Sequence, residues 1–134
     1  MRAGVFSDTF SRMRGAVFVL PVMVAACGGS SPSSPPPPSS GPTVTISQGG
    51  VVAPKELVVS PGTRVLFVNN DSRRHDMTSD PHPDHTECPE LNQVGLLSAG
   101  QSRESGNLVA VRTCGFHDHE DPLNTGLQGR ITIR

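Results

Sequence analysis

Gly28 to Pro42 reads GGSSPSSPPPPSSGP, a run with no aliphatic or aromatic side chain apart from proline. Such a run cannot offset the entropy of ordering its own backbone. Its Pro36-Pro37-Pro38 core favours extended polyproline II, and its Ser and Gly flanks stay flexible. Residues 27–42 are therefore a disordered tether, and what can fold lies in residues 43–134. About 92 residues make one small domain, whose modest core gains from a bound metal or a disulfide. With no Trp, no Tyr and 5 Phe in the chain, that core must come mainly from Val, Leu and Ile.

The tether also explains what precedes it. Arg2, Arg12 and Arg14 lead into an almost wholly apolar run, Gly15 to Ala26, and then Cys27. A charged start, a short apolar stretch and small residues before a cut are the parts of an export signal, here residues 1–26. About 12 apolar residues are too few to cross a hydrocarbon core of about 30 Å as a helix. Val24-Ala25-Ala26-Cys27 resembles the lipobox of bacterial lipoproteins, which implies cleavage before Cys27 and lipid attachment on its sulfur. An ordinary signal peptide is the alternative, and either Met1 or Met13 could start it. The expected location is extracytoplasmic, in the periplasm or at the cell surface, held to the membrane by the lipid.

Within the domain, polar and apolar residues alternate with period two and no helical period emerges. Strands are expected at Thr43–Ser47, Val51–Ala53 running into Glu56–Val59, Arg64–Asn69, His75–Thr78, Gln93–Leu97, Arg103–Val111 and Gly129–Ile133. Gln48-Gly49-Gly50, Ser60–Thr63 and Asn69–Ser72 are turns. Ser79 to Asn92 reads as a long surface loop and Gly115 to Gln128 as turns or loops. Pro89 to Gln93 could make one helical turn. Many short strands at regular spacing predict an all-β sandwich.

From Gly28 onward the formal charge is −3. That modest acidity suits solubility, and the absence of a basic stripe argues against nucleic acid. The residues that carry chemistry fall in two clusters. One is Thr113-Cys114-Gly115-Phe116-His117-Asp118-His119, where a thiol and an imidazole stand three positions apart on an apparent loop. The other is Asp80–Cys88, holding His82, His85 and Cys88 among carboxylates. Thiol and imidazole together suit copper or zinc rather than magnesium or calcium.

The order of these pieces carries a resemblance. Ala53-Pro54, Leu57-Val58-Val59, Pro61-Gly62-Thr63 and Phe67-Val68-Asn69-Asn70-Asp71 precede His75. Gly95-Leu96-Leu97 and Gly100-Gln101 follow, then Cys114-Gly115-Phe116-His117 and Gly129-Arg130-Ile131-Thr132-Ile133. Nearly the whole domain resembles the plastocyanin/azurin group of the cupredoxin family. The resemblance implies a Greek-key β-sandwich with one copper ion on His75, Cys114 and His117. A His₂Cys set holds Cu(I) and Cu(II) in nearly one geometry, which suits single-electron transfer. The implied protein is an electron carrier rather than an enzyme, expected to be a monomer, that meets a redox partner protein or a copper donor or acceptor. Two departures stand out. Leu127 occupies the place where the family has a weak axial Met, so the site would be three-coordinate or would recruit His119 or a loop atom. The His82/His85/Cys88 loop could fold over the site, supply ligands or bind a separate ion. Cys88 could also pair with Cys114, leaving a non-redox copper-binding or delivery module built on imidazoles.

Overall fold

The computed structural model describes residues 41–134; the expected signal segment, Cys27 and nearly all of the tether lie outside the described residues. Nine strands form two mixed sheets: β1 (Thr43–Ser47), β2 (Val51–Ala53), β3 (Glu56–Val59), β4 (Leu66–Asn69), β5 (His75–Ser79), β6 (Gly95–Leu97), β7 (Ser102–Glu104), β8 (Arg112–Asp118) and β9 (Gly129–Ile133). One sheet has the order β2-β1-β4-β7 and the other β3-β9-β8-β5-β6. The only helical pieces among the described residues are single 3₁₀ turns at Leu91–Gln93 and Thr125–Leu127. No described helix is long and apolar enough to cross a membrane.

The alternation seen in the sequence sets the inner faces. Val44 and Ile46 of β1 and Phe67 of β4 meet Met77 of β5, Phe116 of β8 and Ile131 and Ile133 of β9 in one buried core. Phe67 and Phe116, from opposite sheets, pack edge to face with centroids 5.3 Å apart, a favoured aromatic geometry. The expected all-β sandwich is present, and each strand expected in the first half of the domain forms.

Two readings of the loops are corrected. Residues 115–118 are not loop: β8 runs on to Asp118, paired with β9 from Arg112 to Phe116 and with β5 from Phe116 to Asp118. The Ser79–Asn92 segment is not simply a surface loop either. Cys88 and Leu91 are fully buried in the core, and Val94 just beyond is too. The segment is bound down by hydrogen bonds from Asp80 N–H to the Gly115 carbonyl (3.0 Å) and from Gly115 N–H to Glu87 Oε2 (2.7 Å). β8 is thereby buried on both faces from Cys114 to Asp118. A strand covered on both faces has no polar–apolar alternation to display.

Candidate metal centre

Side chains of a strand alternate between its two faces, so residues three apart point oppositely. Cys114, Phe116 and Asp118 share one face of β8, while Gly115 and His117 share the other. Cys114 lies in the core and is bonded to Cys88 as a disulfide. His75, two residues before Met77 and on its face of β5, lies beside Asp118, which pairs with Met77. The ring of His75 is buried between two carboxylates, with Nδ1 2.7 Å from Asp118 Oδ2 and Nε2 3.1 Å from Asp71 Oδ2. Both ring nitrogens are thus taken up by hydrogen-bond partners, and neither is turned to the other candidate ligands.

The acids around His75 are themselves held. Asp118 Oδ1 accepts the N–H of Asp76 (3.0 Å) and of Glu120 (3.1 Å). Burial works to raise the Asp71 pKa. Hydrogen bonds from His75 and the Ser72 N–H, with the Arg73 charge, outweigh it and lower the group to about 2. The copper set implied by resemblance, His75, Cys114 and His117, therefore does not assemble: the sulfur is spent in a disulfide, and the two imidazoles belong to opposite faces of one sheet. His75 is a buried ring in a carboxylate clamp.

His117 meets the other candidates on the outer face. His82, His85, His117 and His119 each offer a ring nitrogen, and these four atoms all lie within 4.8 Å of one another. Ring centroids are 5.1 Å apart for His85 and His117 and 4.9 Å for His85 and His119. His117 and His119, two apart at the end of β8, point the same way. The bound-down loop brings His82 and His85 over them. Gly115 makes room for this: a Cβ there would overlap the Asp80 carboxylate.

Hydrogen bonds fix which nitrogens face inward. His117 Nδ1–H donates to Asp80 Oδ1 (2.6 Å), so Nε2 carries the lone pair. That Nε2 is buried and has no partner. An orphaned buried ring nitrogen calls for an explanation, and a metal ion would supply its partner. His85 Nδ1–H donates to the Ser79 carbonyl (2.9 Å), which leaves its Nε2 2.9 Å from His119 Nδ1. Partial loss of water around His82, then the charges of His119, His117 and His85, hold its pKa below the usual imidazole range and favour the neutral ring that can ligate.

The four imidazoles fit a metal ion. Metal–nitrogen bonds of about 2.0–2.1 Å place tetrahedral donors about 3.3 Å apart, so modest side-chain rotation closes the set. Imidazole sites favour copper and zinc, and Cu(II) heads the affinity order for divalent first-row ions. Cys88 is no ligand but half of the disulfide, and Leu127 is buried core. Sequence reasoning named all four histidines but ranked three of them behind His75 and Cys114. It missed Asp80 as the residue that orients His117.

No protein-family model and no curated protein matches the sequence. Solved structures do. The purple cupredoxin from Nitrosopumilus maritimus is 20% identical over 69% of this chain and 99% of its own, with a TM-score of 0.57. The oxidized plastocyanin from Dryopteris crassirhizoma is 19% identical over 69% and 99%, at 0.54. An amicyanin variant in a Cu(I) form is 16% identical over 70% and 82%, at 0.52. These likenesses are of fold: the domain has the cupredoxin β-sandwich.

Proposed function

We propose that the chain is a small copper-binding protein that carries single electrons on the extracytoplasmic side of a bacterial membrane, with its one copper ion held by His82, His85, His117 and His119. The observation that carries the reading is the convergence of four imidazole nitrogens around the unpartnered Nε2 of His117. The fold it shares with plastocyanin and amicyanin supports one-electron chemistry, and imidazole ligates both Cu(I) and Cu(II). The Cys88–Cys114 disulfide supports an oxidising compartment. The lipobox-like Val24–Cys27 supports a lipid anchor, and the tether supports reach to a redox partner protein in or near the same membrane. In keeping with the resemblance in its sequence, the chain is proposed to act as a monomeric carrier rather than an enzyme.

The test is copper titration of the purified protein followed by voltammetry. One equivalent binds, His117→Ala abolishes tight binding, and a reversible one-electron couple follows. Copper binding without a reversible couple would leave the second reading, a copper-holding or delivery module.

A further inference from the structure

The four imidazoles are not equally held. His117 is buried, and its ring is locked by Asp80. His85 is half-buried and its ring is locked by the Ser79 carbonyl. His119 is exposed, but its backbone N–H is tied to the Asp76 carbonyl (2.7 Å) and its Nδ1 meets His85 Nε2. His82 is exposed, and among the described residues neither of its ring nitrogens has a hydrogen-bond partner. Its ring lies 5.6 Å from those of His85 and His117 and 5.1 Å from that of His119, at the solvent side of the cluster.

His117 and His85 are oriented through their second nitrogens and His119 is held at its backbone, while among the described residues His82 has neither anchor, which makes it the one weak position. A ligand whose second nitrogen is fixed by the protein is prepaid in orientation, and one whose ring turns freely must give up that freedom on binding. Sites that keep three protein ligands and one exchangeable position are those that take up outside molecules. We propose that His82 is a displaceable fourth ligand, so that the copper centre offers one coordination position to a small Lewis-basic molecule, an anion of azide size or a free imidazole. The exchange is a substitution: the His82 nitrogen leaves, the incoming donor takes its place, and no electron moves. The inference rests on the four-imidazole reading and deepens it.

Azide titration of the copper-loaded protein tests it, followed by visible absorption and electron paramagnetic resonance. In wild type, azide produces a new charge-transfer band and changes the copper hyperfine pattern. His82→Ala keeps copper affinity within about tenfold of wild type, whereas His117→Ala loses about a hundredfold or more. Because the competing ring is gone, azide binds His82→Ala at least about tenfold more tightly than wild type. His82→Gln, which keeps a polar side chain of similar reach, gives the same azide result if the exposed loop is sensitive to truncation. If His82→Ala loses as much copper affinity as His117→Ala, or azide binds neither protein, or binds both equally well, the inference is overturned while the copper site stands. If wild type binds no copper tightly, or His117→Ala binds as well as wild type, the four-imidazole reading itself falls.

Discussion

The disulfide decides both the stability of the domain and the fate of its thiol, so its removal is the most informative perturbation. Cys88 and Cys114 are 26 residues apart in sequence and both wholly buried. Opening a covalent loop of about 26 residues returns about 3.5 kcal/mol of chain entropy to the unfolded state at 25 °C. For a domain of this size that corresponds to a fall in Tm of about 15–25 °C in Cys88→Ala/Cys114→Ala. The loss acts where the metal site is built. The 80–93 segment carries His82 and His85, β8 carries His117 and His119, and the bridge ties one to the other. Leu91 and Val94 still pin the segment to the core, so the variant folds at room temperature with weaker copper binding. Thermal melts by circular dichroism, with and without reductant, are the assay. Reductant lowers the wild-type Tm by a similar amount and leaves the double variant unmoved. A fall of less than about 5 °C in both would refute the assignment of a stabilising, loop-closing bridge. The single variant Cys88→Ala then frees Cys114 in the presence of copper. Because Cys114 and His117 face opposite sides of β8, no intense thiolate-to-copper band develops, and the appearance of one would overturn the placement of these two residues.

Other outcomes follow from the same geometry. Gly115→Ala drives the Asp80 carboxylate off β8 and breaks its hydrogen bond to His117; copper affinity falls about 10–100-fold, as for loss of a partner that orients a ligand, measured by competition with a chelator. His75→Leu leaves the buried carboxylates of Asp71 and Asp118 without the ring that satisfies them, and stability in chemical denaturation falls by about 1–3 kcal/mol. The Asp71 pKa is lowered from 3.8 to about 2, so the stability it lends is fully present above about pH 4 and is lost as pH falls through about 2. Melts of wild type and Asp71→Asn therefore converge between pH 4 and pH 2, and a constant gap across that range counts against the clamp.

The fold was legible because most strands are covered on one face only. Thr43–Ser47 and Gly129–Ile133 alternate cleanly, and their partners lie where period two puts them. The site was legible in composition but not in arrangement, and the cause is the parity of β8. In a turn, Cys114 and His117 could both bend toward one ion. In a continuous strand they cannot, and Arg-Thr-Cys-Gly-Phe-His-Asp gave no sign of being a strand because both its faces are buried. What covers the outer face is the same 80–93 segment whose histidines seemed a departure from the pattern. Once that segment is clamped by Cys88, the sulfur expected to bind metal holds the imidazoles instead. Asp118 completes the substitution on the inner face, where its carboxylate binds the His75 ring and ties down the backbone of Asp76 and Glu120 on either side of the strand pair. The inner face of this sandwich end is thus filled by a hydrogen-bonded imidazole and its two carboxylates, and the four imidazoles that could hold a metal lie on the outer face.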